Sequence, residues 1–125
     1  MSGSLVLFDY DDGLLRSRSM VLSYMGWQVY ECNEARAVAE AVCVGPCEAL
    51  LLSSNITLED ALGVVPMFRR RNLTSMVIQL IPSASAELLP GVDSVISTEY
   101  GVLPFIQDLK CALEPRERRA ARNGA

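Results

Sequence analysis

Histidine is missing from all 125 residues. Its absence removes Ser-His and Cys-His nucleophilic catalysis and the commonest general base near neutral pH. Cysteine is sparse and badly spaced for a metal. Of Cys32, Cys43, Cys47 and Cys111, only Cys43 and Cys47 lie close together, as C-x3-C with no second pair at ligand spacing. A structural zinc site takes four clustered ligands, so no metal centre is expected and the cysteines read as buried or free thiols. Long apolar runs are missing as well. The longest charge-free stretch, Asn72 to Ala86, includes Asn72, Thr74, Ser75, Gln79 and Pro82, and is too short and too polar to cross a bilayer. The opening segment MSGSLVLFDYDD has no basic region and no cleavage site of a secretory signal. Reduced thiols suit a cytosol, so a cytoplasmic location without membrane attachment is expected.

What is present is enough apolar residue for one packed domain: half the chain is hydrophobic. The net charge of −4 is unevenly spread. Residues 115–125 hold Arg116, Arg118, Arg119 and Arg122 against Glu117, a surplus of +3 that leaves −7 on residues 1–114. An acidic body does not favour nucleic acid. The division expected is a domain over 1–114 and a flexible basic tail over 115–125.

The apolar run Leu5 to Phe8, stopped by Asp9, reads as a strand buried on both faces. After the polar loop Asp9-Tyr10-Asp11-Asp12-Gly13, Leu14, Leu15, Met20, Val21, Tyr24 and Met25 recur at helical spacing, and Gly26 suits the position that ends such a helix. Gln28 to Cys32 is a second strand, and Asn33 an N-cap for a helix through Val42 that Gly45-Pro46 breaks. Ala49 to Leu52 is the third strand. Thr57-Leu58-Glu59-Asp60 opens a third helix running to Arg71-Asn72, with Pro66 expected to kink or interrupt it. Met76 to Ile81 is the fourth strand, Pro82 to Pro90 leaves room for a short helix, Val92 to Ile96 is the fifth strand, and Gly101 to Leu113 the last helix. Alternating strands and helices predict an α/β fold: a flavodoxin-like, three-layer domain with a five-stranded parallel sheet of order 2-1-3-4-5. Sites in such folds lie at the carboxyl ends of the strands, which gathers Asp9, Asp11, Ser53, Ile81 to Ser83 and Ser97 to Glu99 along one edge.

Four segments, Leu5-Val6-Leu7-Phe8-Asp9, Gly26-Trp27-Gln28-Val29, Cys47-Glu48-Ala49-Leu50-Leu51-Leu52-Ser53 and Gly91-Val92-Asp93-Ser94-Val95-Ile96, resemble a response-regulator receiver in order and spacing over nearly all of residues 4–114. The resemblance implies a CheY-like fold. It also assigns family positions to residues of altered chemistry. The acidic pair keeps Asp9 but has Tyr10 second, with Asp11 as a substitute; the phosphoacceptor position falls on Ser53, or less well Ser54; the switch hydroxyl falls near Leu80 or Ile81, with Ser83 close by; the lysine position falls on Thr98 and the following proline on Glu99. Among degenerate receivers the chain is similar to those opening flagellar regulators of the sigma-54 activator class, through Arg16-Ser17-Arg18, Cys32-Asn33 and Glu48-Ala49-Leu50. The activator role is not carried over.

Phosphoryl transfer to a receiver needs a carboxylate nucleophile, a cation held by oxygens and a positive charge against the acyl phosphate. A serine hydroxyl is protonated at neutral pH and needs a base. Asp9, Asp11 and Asp12 therefore read as helix caps, with a weak magnesium site as the alternative and no other cofactor expected. The reading preferred is a pseudo-receiver, not an enzyme, that signals through a protein partner or a second copy of itself. Its contact face is expected around Tyr100, Val102, Leu103 and Phe105. Two other readings stay open: an atypical phosphoacceptor receiver and a small-ligand-binding flavodoxin-like domain.

Overall fold

The structure, a computed structural model, describes residues 3–123, with side chains described through residue 113. Five strands, β1 (Ser4–Phe8), β2 (Gln28–Cys32), β3 (Ala49–Ser53), β4 (Met76–Ile81) and β5 (Ser94–Ser97), alternate with α1 (Asp12–Tyr24), α2 (Ala35–Val44), α3 (Leu58–Arg71) and α4 (Val102–Asn123), the last following β5. The strands form one parallel sheet in the expected order, β2-β1-β3-β4-β5.

Period-two alternation divides the core between the two faces of the sheet. Val6, Phe8, Leu50, Leu52 and Val77 point to the side covered by α2 and α3, where Val38, Val42, Ala61, Val65 and Phe68 meet them. Leu5, Leu7, Leu51, Ile78, Leu80 and Ile96 point to the side covered by α1 and α4, against Leu15, Leu22, Phe105, Leu109 and Leu113. All five residues of the central strand β3 are buried. At about 1.5–3 kcal/mol for each fully buried large aliphatic side chain, this double core fixes the register of the sheet.

Helix α1 starts where the Asp11 side chain accepts from the Leu14 N–H and stops at Met25, followed by Gly26 at φ 98°, as the C′ reading requires. Thr57 caps α3 by accepting from the Asp60 N–H. Three expectations change. Asn33 is not the cap of α2: Glu34 holds that position without a side-chain bond, and Asn33 Nδ2 donates instead to Asp12 Oδ1 at 3.2 Å. Pro66 does not interrupt α3, which runs from Leu58 to Arg71 with Pro66 on its exposed face. The last helix extends past Leu113 to Asn123, through a segment rich in the helix formers Ala, Glu and Arg. The side chains of the basic tail lie outside the described residues.

The largest departure lies between β4 and β5. No short helix forms over Pro82 to Pro90, and β5 begins at Ser94 rather than Val92. Gln79, wholly buried in the middle of β4, explains why the segment is ordered without a helix. Its Nε2 donates to the Glu87 carbonyl at 2.8 Å and to Ser54 Oγ at 3.2 Å, and its Oε1 accepts from the Leu89 N–H at 2.7 Å. One amide side chain thus supplies the partners that helical turns would give to the backbone. Leu89 and Val92 then cover the core in place of a helix. Asp93 closes the segment, accepting from the Val77 N–H at 2.8 Å and pairing with Arg69 at 3.1 Å, while Arg69 also donates to the Gly91 carbonyl. Gly91, at φ 80°, is where the chain passes Val65 so closely that a Cβ would lie 3.0 Å from its Cγ1.

Candidate functional site

The carboxyl ends of the strands bring the expected residues to one edge. Phe8 is level with Cys32 on one side and Leu52 on the other, Ser53 is level with Leu80, and Ile81 with Ser97. Asp9, Ser53, Ser54, Pro82, Ser83 and Thr98 follow from these positions, so the register alone assembles the edge.

The three neighbouring carboxylates do three different things. Asp11 is the N-cap of α1, with Oδ1 3.0 Å from the Leu14 N–H, and Asp12 accepts from Asn33. Asp9 is not a cap. Its side chain is 0 % exposed, and both of its oxygens are engaged. Oδ1 accepts from the Asp11 N–H at 2.8 Å and from Asn55 Nδ2 at 2.7 Å, and Oδ2 accepts from Arg18 Nη1 at 2.9 Å. A buried carboxylate is tolerable when it is paired and its remaining lone pairs are satisfied, and Asp9 meets both conditions. Arg18 was not singled out as a site residue. The sign in the sequence was its place on α1: Leu14, Arg18, Val21 and Leu22 share one helix face, so Arg18 is directed toward the sheet among apolar neighbours. Asn55, immediately after β3, belongs to the polar run Ser53-Ser54-Asn55, whose hydroxyls make it a weak anion-binding candidate by sequence, and its role as a partner of Asp9 is not legible there. It holds the loop by accepting from the Tyr10 N–H as well as donating to Asp9.

Tyr10 leaves the edge sideways and does not fill a cation pocket. Its ring packs edge-on against Phe8 at 5.5 Å, and its hydroxyl reaches Asp60 and Thr57 at the start of α3. Ser53 is buried, and the hydroxyl beside it, Ser54 Oγ, donates to the Leu80 carbonyl at 2.8 Å. Ser83 lies in the irregular segment with its hydroxyl 3.0 Å from that of Ser85. Thr98 continues from β5, where its N–H donates to the Ile81 carbonyl at 2.9 Å. Of the expected contact face, Tyr100 is 72 % exposed, Leu103 73 % and Val102 52 %, but Phe105 is buried in the α4 side of the core and drops out of that face. It drops out because one apolar residue of the first turn of α4 must anchor the helix on the sheet.

A divalent cation of the kind receivers use does not fit these residues. Asp9 spends its oxygens on Arg18, Asn55 and a backbone N–H, Asp11 is turned to its helix, and Ser53 supplies no carboxylate. Among the described residues no group of three or more acidic, cysteine or histidine side chains is placed to hold a metal. The thiols offer no nucleophile at this edge. Cys43 and Cys111 are exposed elsewhere, and burial, with smaller contributions from Cys47 and Glu40, pushes the Cys32 thiol up to about 12. Among the described residues no helix is long and apolar enough to cross a membrane.

No protein-family model matches the sequence, and no curated protein does. Solved structures do resemble the fold. The signal receiver domain of an HD domain-containing protein from Pseudomonas fluorescens Pf-5 superposes with a TM-score of 0.75 at 13 % identity, over 96 % of this chain and 93 % of that one. A CheY-like response regulator receiver domain protein from Methanospirillum hungatei JF-1 gives 0.74 at 18 %, over 95 % and 99 %. NtrX from Brucella abortus, solved in complex with ATP, gives 0.78 at 13 %, over 99 % of this chain and 29 % of that one. At such identities the likeness is one of fold. The chain has the fold of response-regulator receiver domains, as the sequence resemblance implied.

Proposed function

We propose that this domain is a non-catalytic, phosphorylation-independent pseudo-receiver of the cytoplasm that signals by protein–protein contact. One observation carries the reading: the Arg18 guanidinium sits on buried Asp9, at the edge where a phosphoacceptor site would need its carboxylates free for a cation. Ser53 and Thr98 add to it, because the first has no charge with which to attack a phosphoryl donor and the second none with which to balance the product. With acetyl phosphate and magnesium, the intact mass of the protein is expected to stay unchanged. A stoichiometric phosphoryl adduct labile to hydroxylamine would overturn the reading.

The contact face supported best is the exposed apolar start of α4 with the neighbouring edge strand: Tyr100, Val102, Leu103 and Val95. Without a helix between β4 and β5, this edge is less covered, and exposed large apolar groups on a small domain suit a partner. The acidic body argues against nucleic acid as that partner. A second copy of the chain is the simplest occupant. Light scattering is expected to show dimers at micromolar concentration, and Leu103→Glu, at an exposed position, to give monomers with an unchanged melting temperature. A wild-type monomer at high concentration would remove the homodimer and leave a different protein as the partner.

A further inference from the structure

Next to the Asp9–Arg18 pair, a cleft of about 400 Å³ opens between α1 and the start of α4, lined by Leu14, Arg18, Val21, Thr98, Val102 and Phe105 among others. We propose that this cleft binds a small monocarboxylic acid with a compact apolar body, the carboxylate on the outer edge of the Arg18 guanidinium and the body between the two helices.

Size, charge and pre-organisation support one another here. The volume lies within the roughly 300–1,000 Å³ typical of small-molecule sites, and such sites are mostly apolar with few fixed polar groups. Leu14, Val21, Val102 and Phe105 make the walls apolar. Arg18 is the one charged group among the lining residues. A guanidinium has five N–H donors. Arg18 Nη1 bonds Asp9, and no buried side-chain nitrogen or oxygen among the described residues lacks a partner, so Arg18's other donors are satisfied or open to solvent. The side chain is 16 % exposed and lines the cleft, and the proposal places its open donors there. Asp9 holds the guanidinium from behind, and its own charge is shared with Asn55 and the Asp11 N–H. An anion entering from the cleft thus meets a fixed, planar donor set and need not order a mobile side chain. Asp11 and Asp12 are turned to the α1 backbone and to Asn33. Asp9 already matches the charge of Arg18, so the outer edge of the guanidinium offers planar hydrogen-bond donors rather than net charge, which favours a carboxylate over a phosphate dianion. The apolar walls exclude a bare inorganic ion, and Arg18 repels an amine. Val102 belongs to both the cleft and the proposed contact face, so an occupant would alter the surface offered to a partner.

The proposal rests on Arg18 as the standing counter-ion of Asp9. It is tested by binding, whereas that reading is tested by phosphorylation, so the two can fail separately. Calorimetry on the full chain would compare 1-naphthoate, the neutral 1-naphthylmethanol and the cationic 1-naphthylmethylamine. The expected result is saturable one-site binding of the naphthoate, about tenfold or more tighter than the alcohol because a charge-assisted bond is lost in the latter, and no binding of the amine. Arg18→Gln should reduce the naphthoate to the level of the alcohol. Val102→Glu, at a half-exposed position that keeps the fold, should abolish naphthoate binding while the circular dichroism spectrum stays unchanged. Equal affinity for the acid and the alcohol, naphthoate binding untouched by Val102→Glu, or no binding up to millimolar ligand would each overturn the proposal.

Discussion

Arg18→Ala should lower the unfolding free energy by about 3 kcal/mol, near the lower end of what breaking a buried ion pair costs. The reason is the state of the group left behind. Asp9 is 0 % exposed, so without Arg18 its charge is held only by Asn55 and one backbone N–H. The loss should stay near the lower end because Arg18 itself is partly exposed, and the cleft beside it lets water approach the vacated position. The complementary change separates charge from packing. Asp9→Asn keeps the shape, and its carbonyl oxygen can still accept from Arg18, but its amide group then faces two donors, the Asp11 N–H and Asn55 Nδ2, so it should cost about 1.5–3 kcal/mol, the range for hydrogen bonds to a charged group. Urea unfolding of the two single variants and the double variant gives the coupling. Independent effects in this cycle would mean that Arg18 and Asp9 are neighbours without a functioning pair.

How much of this arrangement the sequence discloses depends on whether a residue's role follows from its own spacing. The strands did. Ala49 to Leu52 is a run of buried residues bounded by polar ones, and a parallel sheet buries its central strand on both faces. The position of Asp9 at the end of β1 followed in the same way, and with it the edge that collects Ser53 and Thr98. The partners of Asp9 did not follow. Arg18 is a charged residue within an amphipathic helix, and most such residues are solvated; its ion pair with buried Asp9, on another element, is what holds it inward. Asn33 has the chemistry of a cap, but Asp12 competes for its side chain and Glu34 takes the position. Between β4 and β5, the stretch from Pro82 to Pro90 leaves room for a short helix, and none forms. Gln79 decides that outcome. A polar residue in the middle of an apolar strand was the visible sign that a stretch of backbone elsewhere lacked partners.

Ser53→Asp puts this remodelling to its most severe test. Ser53 is buried at the end of β3, beside the strand that leads into Asp9, so the new carboxylate enters a site already neutral, with one guanidinium for one carboxylate. Repulsion between two close carboxylates is worth roughly 1–4 kcal/mol at effective dielectrics between water and a protein surface. Arg18 offsets part of that, since one guanidinium can bond two carboxylates. The desolvation of a second anion is not offset and amounts to several kcal/mol for a buried ion. Ser53→Asp alone is therefore expected to lower the melting temperature in metal-free buffer. Millimolar magnesium should recover little, because Arg18 occupies the side of Asp9 that a cation would need. Acetyl phosphate should still give no stable adduct, Thr98 being uncharged. The double variant Ser53→Asp/Arg18→Ala reverses the charge logic, leaving two carboxylates and no resident cation. It should be the least stable protein without metal and the one most stabilised by magnesium, with a thermal shift that saturates. If Ser53→Asp alone regains full stability with magnesium and becomes phosphorylated, Arg18 does not block the site, and a receiver one substitution from working is the better account of this domain.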